Sequence, residues 1–345
     1  MSDRSRKTIK DVAAAAGVSI GTASRALNRT GRVSEATVIR VTKAAQKLGY
    51  QPDAIAQSLR LKSTKVVGML VTDLSNPFFA GVIRAAEKRL QQAGYALLVG
   101  NTDNEKARER FLIDLFQRRR VDGLIAGPCE SEDAEMLEEL DRGGLPVIGF
   151  DRDFGAGQSG LHVDHRRAAF EATRHLLNLG HERIALLSSS STLSPGRERI
   201  AGYAAALEER GIALNNALIR AHKSSMEFVA SEALSLMSLR PAPTAFLCLG
   251  TRMLAGTLQG LRQNGLSVPD DVSVLTVGDT DLARLYAPSI SAVTWDLESV
   301  GQMLAELMLR RLEEGESESE PRRIMIPTQF IDRESCAPPG HRPET

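Results

Sequence analysis

The chain has 345 residues, 42% apolar and 25% charged, a length that calls for two or three compact domains. Its 43 basic and 43 acidic side chains cancel, yet residues 1–65 hold 13 Lys and Arg against 4 Asp and Glu, a net of +9. The remaining −9 sits in the rest of the chain, which excludes an evenly neutral molecule and points to a small polyanion-facing module joined to an acidic body. The first residues, MSDRSRKTIK, carry no apolar segment, and no run approaches the 18 apolar residues of a membrane span. A cytoplasmic protein without membrane association is the expectation. Cys129, Cys248 and Cys336 are too scattered for a disulfide framework or a zinc ribbon.

Residues 8–49 predict three short helices. Thr8 caps the first, with Asp11 at its third position and Gly17 at its end; Ser19 caps the second, which runs to about Leu27. Ser34 caps the third, with Val33 and Val38 spaced as a hydrophobic staple and Gly49 at the end. The segment PDAIAQSLRL at 52–61 starts well for a helix at Pro52 and Asp53, but is too short to be stable alone.

From Lys65 apolar runs of strand length alternate with helical periods. Strands are expected at Val66–Val71, Ala96–Val99, Gly123–Ala126 and Val147–Phe150, with helices near 79–92, 105–119 and 132–142. The alternation resumes with strands at Leu161–Val163, Ile184–Leu187, Ala245–Leu249 and Val272–Val277, and helices near 166–178, 197–209, 227–238 and 251–263. Such alternation gives doubly wound parallel units, and its length exceeds one comfortable core, so two lobes are expected. A strand at Ala292–Trp295, a helix at 297–313 and a strand at Ile324–Phe330 are expected to return to the first lobe. The Pro-rich end, ESCAPPGHRPET, reads as a loose tail.

Between Ile9 and Leu27 the pattern is that of a helix-turn-helix. Ala13 allows two helices to approach, Gly17 supplies a left-handed turn residue, and Ala23 and Ala26 face inward. The outer face of the second helix then carries Ile20, Gly21, Ser24, Arg25 and Asn28. Arg25 suits the O6 and N7 edge of guanine, while Thr22 and Ser24 suit bases or phosphates. The plainer alternative is a small helical bundle with a polar face.

These residues, TIKDVAAAAGVSIGTASRALN and VSEATVIRVTKAAQKLGYQPDAIAQSLR, resemble the N-terminus of the LacI/GalR transcriptional regulators. The resemblance continues through VVGMLVTDLSNPFFAGVIRAAE, RRRVDGLI, HLLNLGHERIALL and RERIAGY, over about residues 7–330. It implies an N-terminal all-α helix-turn-helix headpiece at 1–50 and a hinge helix and linker at 51–64. A two-lobed α/β, periplasmic-binding-protein-like core at 65–335 would follow, with a flexible tail at 336–345. Lobe 1 would take about 65–160 and 293–330, and lobe 2 about 161–292. The implied activity is a repressor acting as a homodimer on near-palindromic operator DNA, under a sugar-like effector.

Operator contacts implied by the resemblance fall on Thr8, Ser19, Ile20, Gly21, Thr22, Ser24, Arg25, Asn28, Ser34 and Tyr50. The hinge adds Ala56, Leu59 and Arg60. Leu59 would wedge between base pairs at the operator centre, kinking the duplex; its plainer role is a linker packing pair with Ile55.

Effector contacts implied for the core are Asn76 and Phe78 after the first strand, Asp151 after VIGF, and Arg199 in RERIAGY. Their plainer roles are a helix cap for Asn76, a turn for Asp151 and a surface ion pair for Arg199. The sequence departs from the family at Gly250-Thr251, at a shortened Gly278-Asp279-Thr280-Asp281, and at Trp295. Thr251, Asp279 and Trp295 are kept as effector-site candidates, but a plain hexose pocket does not follow.

Three weaker signals are set aside. Gly155-Ala156-Gly157-Gln158-Ser159-Gly160 fits G-x-G-x-x-G but precedes a strand pattern rather than a helix. His162, Asp164 and His165 are close in sequence, but strand alternation splits the two histidines, so no metal is expected. The Ser188–Ser191 run lacks a nucleophile elbow. No catalytic constellation and no cofactor are expected; the competing function is sugar binding without DNA.

Overall fold

In a computed structural model the described residues are 7–50, 63–129, 140, 144–152, 159–222, 230–314 and 322–340. The chain divides into two compact units, residues 1–64 and 65–345.

The first unit holds α1 (Ile9–Ala16), α2 (Ile20–Asn28) and α3 (Glu35–Leu48). The amide and hydroxyl of Thr8 both donate to Asp11 Oδ2, at 2.8 and 3.0 Å. Ser19 and Ser34 accept from the amides of Thr22 and Thr37, and Gly17 and Gly49 close α1 and α3 in the left-handed conformation. The core is small: Val12, Ala13, Ala16, Ala23, Ala26, Val41 and Ala45, with the Val33 and Val38 staple against its edge. Alanines at the crossings let three short helices pack closely enough to bury those few groups.

The second unit contains two six-stranded sheets. The first has the order β11-β5-β4-β3-β1-β2, with β1 Val66–Val71, β2 Ala96–Asn101, β3 Gly123–Ala126, β4 Val147–Phe150, β5 Gly160–Val163 and β11 Arg323–Ile326. All of its pairings are parallel. The second has the order β12-β10-β9-β8-β6-β7, from β6 Ile184–Ser189, β7 Ile219–His222, β8 Ala245–Cys248, β9 Ser273–Val277, β10 Ser291–Thr294 and β12 Gln329–Ile331. Only β12 is antiparallel, against β10. Helices α4 (Pro77–Gln92), α5 (Lys106–Arg118), α6 (His165–Asn178), α7 (Ser194–Glu209), α8 (Ala230–Met237), α9 (Thr251–Gln263), α10 (Asp281–Leu285) and α11 (Leu297–Glu314) alternate with the strands.

Two glycines set the closest helix contacts. A Cβ on Gly202 of α7 would fall 2.0 Å from the Arg166 carbonyl oxygen of α6, and one on Gly301 of α11 would fall 2.4 Å from Val82 O of α4. The α6/α7 and α4/α11 pairs therefore pack backbone against backbone.

The lobes exchange elements differently from the expectation. Residues 161–163 belong to the first sheet, not to lobe 2, because β5 pairs with β4 through a Gly149–Gly160 register that lets the strands meet. The strand at Ser291–Thr294 stays in the second sheet beside β9, while α11 and β11 return to the first lobe. The expected strand Ile324–Phe330 is two strands in different sheets, broken at Pro327-Thr328.

The expected loose tail is held at its start. Ser335 is fully buried and donates to Val274 O, while the Ala337 amide donates to Ser273 Oγ at 3.0 Å. The expected hinge helix, the helix near 132–142 apart from Leu140, and residues 153–158 of the glycine-rich loop lie outside the described residues.

Candidate nucleic-acid interface and ligand cleft

In the three-helix unit, α2 turns Ala23 and Ala26 inward, so Ile20, Gly21 and Arg25 are exposed, with Ser24 and Asn28 part-buried beside them. Ile20 exposes 47% of its surface, which no packing requirement of this unit explains. Asn28 Nδ2 donates to the Ser24 carbonyl at 2.7 Å, holding the last turn of that face. Ser19 and Thr22 share a 2.9 Å hydroxyl contact, so part of their polar capacity is spent on the helix start. Thr8 and Ser34 are exposed and Tyr50 is half-buried against the small core. Ala56, Leu59 and Arg60 lie outside the described residues.

In the second unit a cleft of about 890 Å³, counted to its open mouth, lies where strands of both sheets end. Asn76, Phe78, Asp151, Arg199, Thr251, Asp279 and Trp295 all line it. The fold brings them together because each follows a strand or lies in the first two turns of a helix at the same edge, as doubly wound sheets do. Asn76 follows β1 and also caps α4, accepting from the Phe78 amide at 3.1 Å, so the cap and cleft positions coincide. Trp295 follows β10 at the crossing to α11.

Phe78 stacks on Phe150 at 5.8 Å and meets Trp295 edge-on at 5.8 Å, while Trp295 meets His165 edge-on at 6.1 Å. This aromatic cluster joins the two lobes along one side of the cleft. A second link between the lobes is polar: Arg252 of α9 donates to Ser75 Oγ at 2.7 Å and lies 3.9 Å from Asp73.

Asp151 sits in a tight turn. Its φ is 65°, and the Arg152 amide donates to the Phe150 carbonyl at 2.7 Å, a strained three-residue turn for a residue that is not glycine. His165 Nε2 meets Asp151 Oδ1 at 2.7 Å, with both side chains largely buried. Burial works to raise the Asp151 pKa, but His165, Arg152 and Arg199 outweigh it and hold the carboxyl ionised. Burial lowers the His165 pKa against the pull of Asp151. Arg152 is satisfied by Pro128 O and Asn104 Oδ1. Asp279 is gripped by Arg284 at 3.0 Å and Arg333 at 2.9 Å, which hold its carboxyl below the usual range despite burial.

Among the described residues, four polar atoms of the cleft have no hydrogen-bond or ion-pair partner: Ser189 Oγ, His165 Nδ1, Arg199 Nε and Trp295 Nε1. Arg199 makes only a 3.4 Å contact to the Leu249 carbonyl, and burial pulls its pKa down to about 10. Buried polar groups are normally satisfied, so four orphans around one cleft mark a place for a polar ligand.

Sequence reasoning missed Arg152 and His165 as cleft residues. Asp164 caps α6 through the Arg167 amide at 2.8 Å, and His165, next to it, opens the helix with its ring in the cleft wall. Among the described residues no three His, Cys, Asp or Glu side chains cluster as a metal site.

Residues 8–53 match the model described as bacterial regulatory proteins, lacI family, and residues 173–336 match a periplasmic binding protein-like domain. The chain is 34% identical over 313 residues to the HTH-type transcriptional repressor PurR of Vibrio campbellii, covering 90% of this chain and 93% of that one. The chain belongs to the LacI family. It is accordingly a DNA-binding transcription regulator with the family's two-sheet core. Among LacI-family structures, a transcriptional regulator CelR–cellobiose complex matches at 27% identity and a TM-score of 0.71, covering 96% of this chain and 100% of that one. A lac repressor dimer bound to operator and the anti-inducer ONPF shares the fold, with a TM-score of 0.82 at 24% identity, covering 96% and 99%. Among the described residues no helix is long and apolar enough to cross a membrane.

Proposed function

We propose that this LacI-family chain is a ligand-controlled repressor that binds a near-palindromic operator as a homodimer and senses a small polar molecule in the cleft. The observation that carries the reading is the cleft itself: seven side chains from both lobes converge there, with four orphaned polar atoms around them. Repression is supported by the 34%-identical relative named a transcriptional repressor, and the sugar-like effector by the structure named a CelR–cellobiose complex. The regulatory names of the relatives favour a role in binding rather than catalysis.

The exposed face of α2 reads the half-site in the major groove, with Arg25 as the principal base-reading side chain. In the hinge, Leu59 wedges the operator centre and Arg60 contacts a phosphate or the minor groove, roles resting on sequence alone. The ligand changes the relative disposition of the two lobes and so the geometry of the hinges.

The deciding measurement is a gel shift of the full chain on DNA upstream of its own gene, with and without candidate ligands. A specific, competitor-resistant shift that a ligand alters is the expected result. Absence of any specific shift in every ligand state leaves only a small-molecule-binding protein.

A further inference from the structure

The loop between α2 and α3 is fastened at both ends, and between them it lies against the side chain of Arg25. At its start α2 closes in a Schellman turn. The Thr30 amide donates to the Arg25 carbonyl at 3.0 Å, and the Arg29 amide donates to the Ala26 carbonyl at 3.4 Å, with Arg29 left-handed at φ 51°. At the far end Val33 packs against the small core, and the Ser34 hydroxyl accepts from the Thr37 amide to begin α3. Gly31 is therefore held at a defined place. A Cβ on it would stand 3.3 Å from Arg25 Cδ and 4.0 Å from Arg25 Cγ. The stem of Arg25 occupies the space that a side chain at position 31 would take.

Two further observations set this contact apart. Gly17, Gly31 and Gly49 all hold a positive φ, at 63°, 73° and 62°, yet nothing stands within 4 Å of a Cβ added at Gly17 or Gly49. Backbone conformation accounts for those two, whereas Gly31 meets a second requirement. Arg25 itself is exposed, and among the described residues its guanidinium has no hydrogen bond or ion pair. What restrains it is the packing of its methylenes on the loop. Holding a free arginine in one rotamer is entropically costly, and a surface that closes off other rotamers lowers that cost before DNA arrives.

We propose that Gly31 is a positioning residue for DNA reading: it is the platform that aims the Arg25 guanidinium, so position 31 helps set the base preference of the half-site. The inference rests on the reading of Arg25 given above. A bidentate contact to guanine needs two N–H groups in line with O6 and N7 at once. An added Cβ pushes on Cδ, the atom from which the guanidinium hangs. Because Arg25 is exposed, its stem can give by a few tenths of an ångström at little cost to folding. The loss then appears in base preference. The plainer role of Gly31, a turn residue required for its φ alone, predicts the opposite division.

The test is selection of the full chain on a pool of randomised duplexes, followed by competition binding on the sequences recovered. Arg25→Ala identifies the position that Arg25 reads, as the one whose preference it removes. Gly31→Ala should weaken the preference at that same position by about fivefold or more and leave the other positions unchanged. Gly49→Ala carries strain of the same kind, so it should lower the Tm comparably while keeping every preference. Gly31→Asn adds a Cβ on a residue that tolerates positive φ, and should blunt the same position even if the alanine variant folds poorly. In an Arg25→Ala background Gly31→Ala should remove no further discrimination, because nothing is left to aim.

Unchanged preference at the Arg25 position in both Gly31 variants overturns the inference. Equal weakening at every position, or further loss of discrimination in the Arg25→Ala background, does so as well. These outcomes leave Arg25 as a base reader. If Arg25→Ala itself keeps every base preference, the reading of Arg25 fails and takes the role of Gly31 with it.

Discussion

Asp151 and His165 form a 2.7 Å contact between a strained turn after β4 and the first residue of α6, the helix that follows β5. The pair ties cleft geometry to protonation. Burial lowers the pKa of His165 below the ordinary 6.5, and it does the same for His175 and His181. A folded state that binds fewer protons than the unfolded chain is stabilised as pH rises. The histidine contribution is therefore complete well above pH 6.5 and is lost as pH falls through that value toward the lower folded pKa values. Asp151, held below 3.8, adds a term that is lost only as pH falls below that value. Urea denaturation across this range should show stability declining from neutral pH downward. A rise on acidification between pH 7 and 5 would contradict neutral buried histidines.

Gly202 predicts a second loss, from packing alone. Its missing Cβ lets α7 approach to where an added atom would meet Arg166 O at 2.0 Å, and the neighbouring element is backbone that no rotamer change can move. Gly202→Ala should force α6 and α7 apart and cost about 1–3 kcal/mol, despite its better helix propensity. Gly211→Ala is the contrast: nothing stands within 4 Å, so its cost comes only from the positive φ of 68°. A denaturation midpoint for Gly202→Ala equal to the wild type would sink the close-contact account.

The three-helix unit was legible because its signals are local: Thr8, Gly17, Ser19, Ser34 and Gly49 each act within one turn of where they stand. The cleft positions Asn76, Asp151 and Arg199 came from family resemblance, and the strand-end rule explains why they meet. His165 was not legible. Alternation along β5 describes residues up to Val163, and only the start of α6 at His165 turns that ring toward Asp151. Sheet membership was likewise hidden. A βα rhythm predicts parallel strands but does not say at which strand the chain changes sheets. Here that is set by a Gly149–Gly160 pairing and a break at Pro327, features of tertiary contact rather than of periodicity.

The exposed face of α2 predicts how DNA affinity divides. Arg25→Ala should cost about 1–3 kcal/mol on the specific operator and far less on random DNA. Loss of equal size on both would show a phosphate contact rather than base reading. Because the +9 charge lies in residues 1–65, specific and nonspecific affinity should both fall steeply with salt, whereas ligand binding to the acidic remainder should not follow that slope. Binding curves at several salt concentrations test both statements together.

Arg252 links the lobes directly. It stands in the first turn of α9, after the second sheet's β8, and reaches Ser75 Oγ at 2.7 Å and Asp73 at 3.9 Å beyond the end of β1 in the first sheet. The Arg252 side chain is part-exposed, so the tie is worth no more than about 1 kcal/mol to folding. Its effect falls instead on the balance between open and closed lobes, where 1 kcal/mol is roughly a fivefold change in population. Arg252→Ala should leave the Tm near that of the wild type while shifting the ligand-free core toward the open arrangement. Small-angle scattering should then give a larger radius of gyration without ligand and the wild-type value when the cleft is filled. Arg252→Lys keeps the charge but loses the guanidinium fork, and should fall between the two. An unchanged ligand-free radius in Arg252→Ala would mean that the aromatic cluster around Phe78 and Trp295 holds the lobes by itself.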